Sequence, residues 1–167
     1  MVVLALLTLP TFNGTYVTQA NAMAHNLKLA VDTYQKDYGR FPAISATTGD
    51  TVIDTPDEWR LLSAVLNGGQ DVDTLAVNPE AQKLNPRQIV YLSFTRADIT
   101  HGHVTYPYFV SPMKSQLLYT IKMDTDQNGV LGNLPSKAGG VITAKEKSAV
   151  WLEDPSSPHS IHTNTYE

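Results

Sequence analysis

Between residues 16 and 38, apolar side chains recur at steps of three and four: Tyr16, Ala20, Met23, Leu27, Ala30 or Val31, Tyr34 and Tyr38. Those steps put every member on one face of an α-helix. Directly after the last of them stands Gly39-Arg-Phe-Pro42. Glycine accepts the left-handed conformation in which helices end, and proline blocks resumption. Upstream, residues 2–9 are apolar all round and run into Pro10. The chain therefore begins greasy, turns amphipathic and stops. The pattern predicts one helix over residues 1–38, with an apolar part at about 1–16 and an amphipathic part at about 17–38. Pro10 and Asn13-Gly14 are where it would kink or fray. At about 1.5 Å per residue, such a helix approaches a length of roughly 55 Å. A compact head of this size cannot cover that length, so half of the helix must protrude or pair with neighbours.

At 167 residues the chain has room for one domain with a real core. The composition, 42% hydrophobic and 17% charged, is that of an ordinary folded protein. A net charge of −4 leaves no basic footprint for nucleic acid. The absence of cysteine excludes a disulfide framework, a zinc-thiolate site and a thiol nucleophile. The apolar run at residues 2–9, extended at most to Phe12, is shorter than the roughly 20 residues that span a bilayer. No basic residue precedes it, so it is not a complete signal peptide.

Residues 39–153 read as an α+β head, followed by a tail at 154–167. Residues 43–54 are polar and β-branched and read as a loop. Thr55-Pro-Asp-Glu58 is a strong helix start, with Thr55 as cap, Pro56 in the first turn and Glu58 completing a capping box. Trp59, Leu62, Val65 and Leu66 give that short helix a buried stripe, and Gly68-Gly69 ends it. Leu27, Val31, Tyr34 and Trp59 are expected to share one core. Residues 70–86 read as a polar connection, with Asn78-Pro79 and Asn85-Pro86 as turn markers. Residues 89–94 read as a strand or the entry to one, and residues 105–110 as half strand and half turn. The clearest strand is 117–123, with Leu117, Tyr119, Ile121 and Met123 alternating onto one face. A turn at 124–129, another at Gly139-Gly140 and a last strand near 148–152 follow. The tail, rich in Ser, Pro, His and Thr, has no periodicity and should be loose unless docked. Helices first and antiparallel strands after them make an α+β layout: a long N-terminal helix on a small antiparallel sheet, with one short extra helix.

Asp124-x-Asp126-x-Asn128-Gly129 is the sharpest local motif. Oxygen ligands at alternate positions and a glycine at the sharp turn match the first half of a calcium loop. A helix-loop-helix calcium hand would need a bidentate Glu where Pro135 stands, and a strand precedes the motif, so it is not such a hand. Asn-Gly is also a leading hairpin signal, and Asp favours turn starts. A plain turn and a turn that binds calcium through Asp124, Asp126 and Asn128 both fit the residues. His101-x-His103 and His159-x-x-His162 lie in Gly-, Ser- or Pro-flanked segments and read as solvated loop histidines. His25 belongs on the polar face of the long helix. Ser111-Pro-Met-Lys114 formally matches Ser-x-x-Lys, but Pro112 opposes the helix that would bring lysine over serine. Asn13-Gly-Thr15 is a glycosylation sequon inside a predicted helix. No phosphate loop or dinucleotide fingerprint is present, and no nucleophile–base pair has plausible spacing, so the chain does not read as an enzyme.

The order of greasy start, amphipathic helix and Tyr34-x-x-Asp-x-Gly-x-Phe-Pro42 junction resembles the type IV pilin-like superfamily. The closest resemblance is to the major pseudopilin of the type II secretion system. The following helix, with Leu61-Leu62 and Leu66-x-Gly68, matches the head of that family. Ser111-Pro112-Met113 keeps only the proline of the family's Asp-Pro-Trp-Gly-like turn. Leu9-Pro10 resembles a step late in the family's apolar segment, which places about a dozen residues of greasy helix upstream of this chain. The resemblance implies a membrane-anchored structural subunit that assembles through its N-terminal helix into a homo-oligomeric pseudopilus or related filament. It implies other pseudopilins and inner-membrane assembly proteins as partners. It places the head in the periplasm of the bacterial cell envelope or in an extracellular filament, where the filament supports protein secretion across the outer membrane. It also implies calcium in a loop near the C-terminal sheet, completed by carbonyls, water or a distant acid such as Asp154. The reading from a different class is a soluble, calcium-stabilised extracellular binding or adhesion module, with the apolar start as part of its core.

Overall fold

The structure, a computed structural model, describes residues 12–45, 49–94, 108–110, 116–153 and 161–166. It is α+β. Helix α1 (Phe12–Tyr38) runs unbroken through Asn13-Gly14, and Gly39 ends it at φ 70°. The stripe faces inward as its spacing predicts: Ala20, Leu27, Ala30, Val31 and Tyr34 are buried, and His25 lies on the exposed side. Residues 1–11 lie outside the described residues, and with them the apolar start and Pro10.

Strand β1 (Thr51–Ile53) corrects the loop expected at 43–54. Its residues are β-branched, and pairing with a neighbouring strand outweighed the polar surroundings. Helix α2 (Pro56–Leu66) starts as expected. The Thr55 hydroxyl accepts from the Glu58 N–H at 3.4 Å, and the Glu58 carboxylate accepts from the Thr55 N–H at 3.3 Å. The connection expected at 70–86 contains a second short helix, α3 (Pro79–Leu84). Asn78-Pro79 is its start rather than a turn, since the Asn78 side chain accepts from the N–H groups of Glu80 and Ala81. The head thus has two extra helices, not one. Residues 89–94 form no regular strand; only a single bridge links Asn67 to Val90.

Strand β3 (Gln116–Met123) organises the sheet. Strand β2 (Tyr108–Val110) pairs antiparallel with its first residues and β1 with its last three. Strand β6 (Ser148–Glu153) pairs with it over residues 119–123, and strand β7 (Ile161–Asn164) pairs with β6. The C-terminal segment is therefore docked in the sheet rather than a loose tail. A separate pair, β4 (Leu131–Pro135) with β5 (Val141–Ala144), turns at Gly139-Gly140 as predicted. Because β3 and β4 are not paired, the turn at 124–129 is not that of a hairpin.

Successive strand residues point to opposite faces, so β3 and β6 serve two cores. Tyr119, Ile121, Met123, Val150 and Leu152 face α1 and α2, where they meet Leu27, Val31 and Trp59. Ala149 and Trp151 face the other way, against Leu131 and Leu134. Tyr34, expected in the first core, packs instead with Ala64, Val65 and Ala81, because α3 covers the end of α1. Its hydroxyl donates to the Leu84 carbonyl at 2.6 Å, and the Tyr38 hydroxyl donates to Asn85 Oδ1 at 2.8 Å. Asn85 is buried, and its Nδ2 donates to the carbonyls of Val65 and Ile89. The tyrosines that end α1 thus fasten α3 and the strap after it.

Candidate metal centre

The β1–β3 register places Thr51 opposite Met123, so the residues just beyond the pairing, Asp50 and Asp124, come side by side. Threonines hold the junction: the Thr125 hydroxyl donates to the Gly49 carbonyl at 2.6 Å and lies 3.2 Å from the Thr51 hydroxyl. Carboxylate oxygens of Asp50, Asp124 and Asp126 lie within 4.8 Å of one another. Of the sequence-predicted ligands, Asp124 and Asp126 are brought together, and Asn128 lies against Asp126 through a side-chain hydrogen bond. The Asn128 Oδ1 accepts from the Val130 N–H at 2.8 Å, and its Nδ2 donates to Asp126 Oδ2 at 2.9 Å. Asn128 also shapes the turn, as do the left-handed Gln127 and Gly129 at φ 58° and 79°. Asp154, named as a distant ligand, lies outside the described residues, as do both members of the first histidine pair, His159 and the Ser111–Lys114 motif; the His162 side chain is likewise not described.

Asp50 was missed because it sits in a segment that reads as loop. The available signal was Gly49-Asp50 directly before the β-branched run Thr51-Val-Ile53, which marks an acid at a strand entry.

The three acids differ in their surroundings. Asp124 is buried, and both its oxygens accept main-chain donors, Asn128 N–H at 3.0 Å and Gly129 N–H at 2.8 Å. Its pKa is nonetheless raised, first by burial and then by the neighbouring Asp126. Asp50 Oδ2 lies 3.2 Å from the Lys122 ammonium, whose other contact is the Gly132 carbonyl at 2.6 Å. Asp50 Oδ1 is buried and has no hydrogen-bond partner. Three carboxylates against one ammonium leave two negative charges in a small volume. An orphaned buried carboxylate oxygen beside like charges fits a hard divalent cation taking oxygen ligands, the rest coming from carbonyls or water. Such a cation would bind there and stabilise the fold.

No family model, curated protein or solved structure matches this chain. The functional reading therefore rests on the residues and their arrangement. Among the described residues, no helix is long and apolar enough to cross a membrane.

A second buried carboxylate shifts the opposite way. Burial alone would raise Asp71, but hydrogen bonds from the Thr74 and Asp73 N–H groups and the Arg60 guanidinium outweigh it and hold its pKa below the usual 3.8. A group lowered on folding contributes stability above its unfolded value and loses it as pH falls through the folded one. Urea unfolding of wild type and Asp71→Asn should accordingly show a wild-type advantage at pH 7. That advantage should vanish as the pH drops below 3.8. An advantage unchanged at low pH would mean that the Asp71 charge contributes nothing.

Proposed function

We propose that this chain is a structural subunit of a pilin-like envelope filament, closest to the major pseudopilin of type II secretion, and not an enzyme. The observation that carries the reading is α1. It has 27 residues, or about 40 Å of helix, and its buried stripe from Ala20 to Tyr34 beds on an antiparallel sheet. The sheet meets α1 through β6 and β7, and α2 lies beside it. A long helix committed to the head along its later half suits a subunit whose earlier half is offered to a membrane or to neighbours. In this reading the apolar start anchors the subunit in the inner membrane and then joins the filament core. Other pseudopilins and inner-membrane assembly proteins are its partners, and calcium at Asp50, Asp124 and Asp126 stiffens the head.

The acidic cluster also suits the second reading, a soluble calcium-stabilised binding or adhesion module. Shortening the chain separates the two. A cut before Val17 keeps Ala20, whose carbonyl accepts from the Tyr119 hydroxyl at 3.1 Å. The shortened chain should stay folded and monomeric in sedimentation and fail to float with lipid vesicles, whereas the full chain should associate and float. Equal behaviour of the two forms would overturn the filament reading and favour the adhesion module.

A further inference from the structure

Asparagine is followed by glycine three times in the chain, at Asn13-Gly14, Asn67-Gly68 and Asn128-Gly129. The pair has a chemistry of its own. The glycine nitrogen can attack the side-chain carbon of the asparagine before it and close a five-membered ring. Glycine favours this step because it has no side chain to crowd the ring and gives the backbone the freedom to form it. In most folded segments the reacting groups are tied to partners that hinder the attack. At Asn128 they are tied to partners that assist it.

Three hydrogen bonds surround the reacting atoms. The Val130 N–H donates to Asn128 Oδ1 at 2.8 Å. It polarises the carbonyl and meets the negative charge that this oxygen gathers during attack. Asp126 Oδ2 accepts from Asn128 Nδ2 at 2.9 Å and so holds the group that must leave. Asp124 Oδ2 accepts from the Gly129 N–H at 2.8 Å. A carboxylate therefore already sits on the proton that the attacking nitrogen must lose. These partners fix which way the amide points, since a main-chain N–H only donates and an ionised carboxylate only accepts. Asn128 and Gly129 are exposed, so water reaches the product. Asn67 differs: it is half-buried, and its Nδ2 donates to a main-chain carbonyl, that of Gln70, at 3.3 Å.

We propose that Asn128 is a self-modifying site, at which the Gly129 nitrogen attacks Asn128 Cγ with the Val130 N–H as oxyanion donor and Asp124 as base. The bond from nitrogen to Cγ forms as the Gly129 proton passes to Asp124. The Cγ–Nδ2 bond breaks as that proton is delivered to the departing nitrogen, which leaves as ammonia. Water then adds to either carbonyl of the succinimide and opens it, giving aspartate or isoaspartate. Either product adds one negative charge beside Asp126, and isoaspartate also lengthens the main chain by one carbon within the turn. The candidate cation site thus becomes more acidic with time, whether or not the chain assembles.

The test follows the conversion of Asn128 by peptide mass spectrometry, with isoaspartate separated from aspartate. Full-length protein is held in chelator at neutral pH, either folded or unfolded in urea. Asn128 should convert about tenfold faster in the folded chain, short of the hundredfold that a well-matched acid–base group gives, because a carboxylate is a weak base for an amide proton. Asn67 should show the opposite order, slower folded than unfolded. Asp124→Asn keeps an acceptor for the Gly129 N–H but takes no proton, so its folded rate should drop to the unfolded one. A melt shows whether that variant is folded. An Asn128 that converts no faster folded than unfolded overturns the proposal without any variant. A folded Asp124→Asn chain that keeps the wild-type rate overturns Asp124 as the base.

Discussion

Trp59→Ala is expected to lower folding stability by about 3–5 kcal/mol, the usual cost of truncating a fully buried tryptophan. Trp59 has no exposed surface and lies where α1, α2 and the sheet meet. Its indole N–H donates to the Tyr119 carbonyl at 2.6 Å, and the Tyr119 hydroxyl in turn donates to the Ala20 carbonyl. One strand residue thus ties both helices to the sheet. The alanine variant opens a cavity and leaves a buried carbonyl without its donor, which adds about 1–3 kcal/mol where water cannot replace it. Trp59→Phe, which keeps most of the ring, should fall between the two. For a chain of this size each kcal/mol moves the melting temperature by roughly 2–4 °C. A thermal melt of Trp59→Ala that matches wild type would contradict this packing.

Calcium at a hundredfold excess over its dissociation constant should stabilise the protein by about 2.7 kcal/mol, through linkage to a site that only the folded state possesses. The site needs β1 paired with β3 to bring Asp50 beside Asp124 and Asp126, so the unfolded chain does not contain it. Asp126→Ala should abolish the increment. It should leave calcium-free stability nearly unchanged, because losing the Asn128 hydrogen bonds is offset by removing a like charge from Asp124. Asn128→Ala should reduce the calcium increment less than Asp126→Ala does, since its neutral amide supplies no charge but hydrogen-bonds the Asp126 carboxylate of the cluster. Melts of wild type with calcium and with chelator check this. Identical curves would leave Asp124 to Gly129 as a turn and nothing more.

Regular local patterns carried the long helix, its buried stripe, the capping box and the β3 alternation, because each depends on neighbours within a few residues. The Thr55–Glu58 cap and the Gly39 stop are decided by backbone groups three or four positions away. A three-residue strand such as β1 has no such signature. Thr51-Val-Ile53 becomes a strand because β3 offers an unpaired edge, and that edge exists only once β3 lies in the sheet. The same holds for β7, whose residues show no period and are ordered by pairing with β6.

The candidate site divides along the same line. Asp124, Asp126 and the turn at Gly129 are six consecutive residues at ligand spacing, visible in the primary structure alone. Asp50 lies more than seventy positions away and joins them through strand register. The left-handed Leu75 is a local matter too, set by hydrogen bonds that Asp71 makes to residues two to four positions on. Periodicity, caps and turns are short-range and survive in the unfolded chain's order of residues. Register and surface apposition are long-range, and they exist only after the chain has paid the entropy of closing its loops.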